Sequence, residues 1–270
     1  MTTDVIAARI TADLPDHTLG GRLRRDFEGI LAIWIRELKV FQREKSRVIS
    51  SMVQPLLWIF VFGGGVGGAM HIPGGNYRAF IFPGVLVMST LFTCVFYGMY
   101  IVWDKKLDVL KQILVSPVSR IAIFTGKMLG GSTDAVVQGS LLLVLGFFIA
   151  HLHVADALAG LAFLVLISVG LTGLGLAIGS FFESPEGFQI VLSFLVFPMY
   201  FLSGALYDLN GLPGWLHVAT RVNPITYAVD GMRAILVHVH TFPLGVDITV
   251  VGTFSAVMLL VGSWAFSRQK

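Results

Sequence analysis

Residues 157–181 read ALAGLAFLVLISVGLTGLGLAIGSF, twenty-five positions without one ionisable side chain. As an α-helix at 1.5 Å per residue this run extends about 37 Å, enough to cross a hydrocarbon core about 30 Å thick. The whole chain matches it in character. Of its 270 residues 55% are hydrophobic and only 13% charged, where soluble domains carry about 25% charged residues. Mean hydropathy is +0.80. This composition places the chain in a bilayer and excludes an ordinary soluble enzyme or a nucleic-acid-binding protein.

Outward from that run, further apolar stretches lie at 49–69, 80–102, 121–150, 188–207 and 246–267. Together they predict an all-α, polytopic membrane protein with six transmembrane helices. An even number of spans puts both ends on one side, and Lys and Arg positions decide which. Nine precede residue 48, five lie in 103–127 and two are Arg268 and Lys270, whereas Arg78, Arg221 and Arg233 alone fall on the opposite side. Positive charge collects on the cytoplasmic face, so both termini and the 103–127 connection are expected in the cytoplasm. The polar, basic N-terminus lacks the short apolar core and cleavage site of a leader, and reads as part of the folded protein. Cys94 is the one cysteine, which leaves no intrachain disulfide and no thiolate metal cluster.

The chain divides into a cytoplasmic N-terminal part, 1–47, and a transmembrane part, 48–270. Within the first, Phe27, Ile30, Leu31, Trp34, Leu38 and Phe41 recur at steps of three and four, with Arg24, Arg25, Glu28, Arg36, Glu37, Lys39 and Arg43 mostly opposite. That pattern predicts an amphipathic helix, and its basic face beside a membrane favours the lipid interface over a soluble partner. Between the last two spans, residues 208–236 are too polar to cross yet carry apolar blocks divided by Pro213 and Pro224. Two short helices that dip partly into the outer leaflet are expected there, a re-entrant segment.

Several motifs carry less than they suggest. GGGVGG at 63–68 ends a span and opens no strand-to-helix unit, so it is no dinucleotide loop; TGKM at 125–128 lacks the upstream glycine and the hydroxyl of a phosphate loop. The His151/His153 and His238/His240 pairs lack a carboxylate neighbour, and no metal site is expected. Ser203 near His217 has no nucleophile-elbow context. Lys127 and Asp134 are the clearest charges inside a span; Lys127 is expected to reach the cytoplasmic interface and Asp134 to line a cavity or pair with another helix. Gly126/Gly130 and Gly175/Gly179 are small-residue spacings suited to close helix contact, most simply within one subunit.

The stretch FPMYFLSGALYDLNGLPGWLHVATRVNPITYAVDGMR at 197–233 closely resembles the signature of the type-2 ABC export permeases, and LVSPVSRIAIFTGK at 114–127 is similar to the same family's second segment. From about residue 20 nearly the whole chain shares the resemblance, most strongly with drug-resistance and lipo-oligosaccharide permeases. It implies a transport subunit, not an enzyme, that exports an amphipathic drug, lipid or lipid-linked glycan across a prokaryotic inner (plasma) membrane. ATP and magnesium would sit on a separate cytosolic ATPase, with no cofactor on this chain and a second copy or a paralogue as its other partner. The resemblance further implies a coupling helix at about 104–118, with Lys105, Lys106, Leu107, Asp108, Leu110, Lys111, Leu114, Ser116, Pro117, Val118 and Arg120 engaging that ATPase. Relatives carry a glycine and a glutamate near positions 108 and 112, where this chain has Asp108 and Gln112. For conduit or gate the candidates are Asp134, Phe197, Pro198, Ser203, Asn223, Pro224 and Tyr227. A secondary transporter or channel independent of ATP is the rival reading and would need an ionisable pathway, for which only Lys127 and Asp134 stand available. Phe supplies 21 residues, and an aromatic conduit and ordinary span packing both account for them.

Orientation has a direct test. With Cys94 replaced, single cysteines at Ser116 and Ser267 are expected to react with impermeant maleimide only from the cytoplasm, and one at Asn210 only from outside. Labelling of Ser116→Cys in intact cells reverses the topology.

Overall fold

The computed structural model describes residues 19–65, 77–109, 118–207, 209 and 213–268, and among them the ordered elements are helices. In chain order they are α1 (Leu19–Arg43), α2 (Lys45–Gly65), α3 (Tyr77–Phe96), α4 (Met99–Lys106), α5 (Arg120–Ile149), α6 (Val154–Phe181), α7 (Pro185–Phe201), α8 (Gly214–Val222), α9 (Pro224–Val237) and α10 (Leu244–Ser267). Among the described residues five stretches are long and apolar enough to cross a membrane: Val48–Gly65, Tyr77–Lys106 with α3 and α4 as one rod, α5, α6 and α10.

Central to the bundle is α3, in which every residue from Phe80 to Leu91 is buried. A helix apolar on all sides has no polar face to give to water, so its neighbours enclose it: α2, α5, α6 and α9 all pack on it. Its rod breaks at Tyr97–Gly98, where the backbone comes against α6. A Cβ on Gly98 would strike the carbonyl oxygen of Gly175, one on Gly175 the carbonyl of Val95, and one on Gly179 the carbonyl of Gly98. Where no hydrophobic effect drives helices together, such backbone approach supplies the dispersion contact that holds them. The 175/179 glycines therefore serve packing within one chain.

The helix expected over 188–207 is shorter. Ser184 caps it by accepting from Gly187 N, Pro185 opens it, and it stops at Phe201, 17 residues long. Beyond it the chain reverses through Gly204, at φ +72°. Arg233 on α9 takes up the freed backbone: its guanidinium donates to Gly204 O at 3.0 Å and Ala205 O at 3.4 Å, and lies 4.0 Å from the Phe80 ring centre. These turn carbonyls are answered by Arg233, and the helix's own last ones by Asn223 at Met199 O and the Tyr207 hydroxyl at Phe201 O. Asp230, one turn earlier, accepts from Thr241 N and Phe242 N and pins the link into α10. The Asp-x-x-Arg of the signature is thus a pair of backbone clamps.

Gly175→Val drives a side chain into backbone that cannot yield, at a cost of about 1–3 kcal/mol or more. A lowered thermal midpoint in detergent is the expected result. Gly252→Ala on α10, which meets nothing within 4 Å, is expected to leave that midpoint unchanged.

Candidate functional site

Two features share the end of the bundle that carries α1. The first is a cluster of buried charge. Lys127, on α5 and 1% exposed, donates to Asp104 Oδ2 at 2.5 Å and to Glu37 Oε1 at 3.3 Å. Glu37 also accepts from Arg36 Nη1 and from the Tyr97 hydroxyl, both at 2.9 Å, while Arg36 Nη2 lies 3.9 Å from Asp104. Two cations thus face two anions. Charges in a low-dielectric interior persist only when paired and hydrogen-bonded, and here each is. The cluster knots α1, α4 and α5 together. Gly126 and Gly130 make room for it: a Cβ at either would collide with Ile33 or Glu37 of α1.

The second feature is a groove of about 430 Å³ between α2, α3, α5 and α7 and the end of α1. Ser51, Gln54, Thr93, Asp134, Gln138, Gln189 and Ser193 bring polar groups to it; Phe41, Phe92, Phe96 and Phe197 bring rings. Gln138 is fully spent inside: its Nε2 donates to Ser51 O and Ser89 Oγ, and its Oε1 accepts from the Thr93 hydroxyl. One carboxamide so fastens α2, α3 and α5 beneath the groove. Phe92 meets Phe96 at 6.0 Å and Phe197 edge-on at 5.4 Å, forming an aromatic wall that continues to α7.

Comparison with known proteins gives these features a family. The sequence profile of the ABC-2 type transporters matches residues 28–237. The chain belongs to that family. This ABC-2 permease is 26% identical over 240 residues to the inner membrane transport permease YadH of Escherichia coli K12, covering 85% of this chain and 91% of YadH. It is 26% identical over 203 residues to the putative transport permease ycf38 of Cyanophora paradoxa, 73% of this chain and 70% of the relative. Nodulation protein J of Rhizobium meliloti is 22% identical over 243 residues, 88% and 93% of the two chains. It is a membrane permease of an ABC transporter.

The residues expected to couple the ABC-2 permease to an ATPase divide. Leu110, Lys111, Leu114, Ser116 and Pro117 lie outside the described residues. Leu107 is 64% exposed, and a turn at Leu107–Asp108, with Asp108 at φ 54°, separates it from the end of α4. Residues 104–106, expected within one coupling helix, instead finish α4. Lys105 turns inward, its ammonium 2.6 Å from Ser180 O and 3.3 Å from Phe182 O, capping the end of α6. Lys106 lies over the Trp103 ring, and Arg120 donates to Ser267 O. Val118, expected to engage the ATPase, packs against Gly29 of α1.

Among the conduit candidates, Asp134 and Phe197 meet in the groove. Pro198 follows on the exposed side of α7. The others lie beyond the helix end and hold the fold: Ser203 donates to Tyr200 O, Asn223 caps α9 and donates to Met199 O, Pro224 opens α9, and Tyr227 donates to Arg221 O. Lys127 does not extend to the interface as expected, because Glu37 and Asp104 answer its charge where it stands. Glu37, expected on the outward polar face, is buried for the same reason. Sequence reading missed Glu37, Asp104, Tyr97 and Gln138. Gln138 alone left a signal, a lone carboxamide in an apolar run.

Lys127→Met leaves the two carboxylates with Arg36 alone as counter-charge, and removing one partner of a buried ion pair costs about 3–5 kcal/mol. Thermal unfolding of the purified protein is expected to report the loss, and Asp104→Asn in the same chain to restore part of it.

Proposed function

We propose that this ABC-2 permease is the membrane subunit of an exporter, carrying an amphipathic drug, lipid or lipid-linked glycan out of the cytoplasm or its leaflet. Two such chains, or one with a close paralogue, enclose the path, and a separate cytosolic ATPase binds ATP and magnesium. The observation that carries the reading is the groove, a polar and aromatic furrow between three spanning helices and the shorter α7 that suits reversible binding of a two-natured molecule. YadH, which is named an inner membrane transport permease, supports a place in a prokaryotic inner membrane. The charge pattern supports cytoplasmic termini.

In this reading the ATPase docks at residues 107–118, between α4 and α5. Closure of the ATPases on ATP moves that segment, and both flanking helices move with it because the Lys127 cluster joins them to each other and to α1. Since α4 continues α3, the motion reaches Thr93 and Phe96 in the groove wall within two turns.

The apolar stripe of the docking segment supplies the test. Burying a leucine side chain is worth about 1.5–3 kcal/mol, so replacing Leu110 and Leu114 by Asp removes most of a small docking contact. Loss of ATPase co-purification is expected, with membrane insertion intact because neither residue lies in a spanning helix. A correctly inserted variant that still retains its ATPase and exports normally overturns the docking role.

A further inference from the structure

We propose that the groove between α2, α3, α5 and α7 binds an uncharged, hydroxyl-bearing headgroup whose apolar tail stays in the adjoining leaflet. The direction of movement rests on the export reading; the chemistry of recognition does not. At about 430 Å³ the groove falls within the range of about 300–1,000 Å³ usual for small-molecule sites.

Polar groups of the groove sit along α2 and α7. Gln54 stands nine residues into α2, about 13 Å along the helix, while Gln189 and Ser193 stand four and eight residues into α7, about 6 and 12 Å along. Both helices start from the α1 end, so the polar lining faces the leaflet on that side. Gln138, described above, spends its carboxamide within the protein. Gln54 and Gln189 are exposed, and neither carboxamide makes a hydrogen bond among the described residues. A bare carboxamide in hydrocarbon is costly, and a ligand with matching donors and acceptors removes that cost.

Headgroup charge follows from the rest of the lining. No Lys or Arg is among the described residues that line the groove, and Asp134 opposes an anion. Asp134 is itself 3% exposed, so it offers little surface to a cation. What remains on offer are the carboxamides of Gln54 and Gln189, each both donor and acceptor like a sugar hydroxyl, and the accepting oxygens of Ser51, Thr93 and Ser193, whose protons go to Val48 O, Gln138 Oε1 and Gln189 O, beside the flat faces of Phe92, Phe96 and Phe197. A tail has its own place: Val53 and Leu57 on α2 and Ile190 and Phe194 on α7 turn apolar surface outward on either side.

The experiment needs neither nucleotide nor ATPase, so its failure is distinct from failure of the export reading. In lipid nanodiscs, with Cys94→Ala, Ser193→Cys reports the groove and Val257→Cys on α10 reports the lipid-facing surface, each by its rate of maleimide alkylation. Three probes share one dodecyl tail and are used below micellar concentration: dodecyl maltoside, dodecyltrimethylammonium and dodecyl sulfate. Dodecyl maltoside is expected to slow Ser193→Cys about fivefold or more without slowing Val257→Cys. Adding Gln54→Leu and Gln189→Leu is expected to weaken that protection about tenfold. Equal or better protection by either charged probe overturns the proposal, as does protection by none or equal slowing at both cysteines. So does a Ser193→Cys that is inert without probe and cross-links to a second copy, since the groove is then filled by protein.

Discussion

Hydrocarbon offers no hydrogen bonds, and the fold of this chain is organised by that absence. A lysine seven residues into α5 would be intolerable facing lipid, and it is held by Glu37 and Asp104 instead. To deliver those carboxylates, α1 must lie across α5 at the Gly126/Gly130 face, and α4 must end beside both. Three helices from distant parts of the chain are thus placed by one ammonium. The same rule acts on Gln138, whose carboxamide joins α2, α3 and α5, and on Arg233, whose guanidinium closes the backbone that α7 leaves open. Apolar packing fills the space between these points and does not choose among alternative arrangements as sharply.

Such polar fastenings are stiffer than lipid-like packing, because a displaced partner leaves a buried charge unanswered. In the proposed cycle this stiffness is useful. A push on residues 107–118 cannot bend α4 away from α5 without opening the Lys127 cluster, so it is spent on moving the helices together. Lys105 extends the connection to the end of α6, and the turn at Phe182–Ser184 leads from there into α7 on the far wall of the groove. Both walls are then mechanically tied to one small region, and a residue expected to touch an ATPase earns its place inside the permease.

The spans were legible because hydropathy reports environment, and environment is the same all along a helix in lipid. Their ends were less so: the helix stops at Phe201, where Asn223 takes Met199 O and the Tyr207 hydroxyl takes Phe201 O, and Arg233, some thirty residues later, takes the carbonyls of Gly204 and Ala205 in the turn beyond. Lys127 was visible as an anomaly, but its partners lie 90 and 23 residues away in segments that look like ordinary polar surface. The glycine spacings announced close contact without naming what comes close. Of the signature's residues, Asn223, Pro224 and Tyr227 invited a conduit reading, yet their bonds are caps and braces. What the structure shows of these three residues is bracing.

That distinction bears on where specificity can reside. Residues that brace the bundle must answer one another, and they are constrained in chemistry whatever is transported. Of the groove residues, Gln54 and Gln189 brace nothing and are left to the proposed ligand. Gln54 and Gln189 have no structural bond to lose, so exchanging them for apolar or charged side chains changes what the groove accepts without loosening α2, α3 or α7. Gln138 is the opposite case, since any change there releases three helices at once. A permease built this way can diverge in substrate by altering a few exposed positions in the groove, while its charge cluster, its glycine crossing and its Arg233 clamp hold the same frame around them.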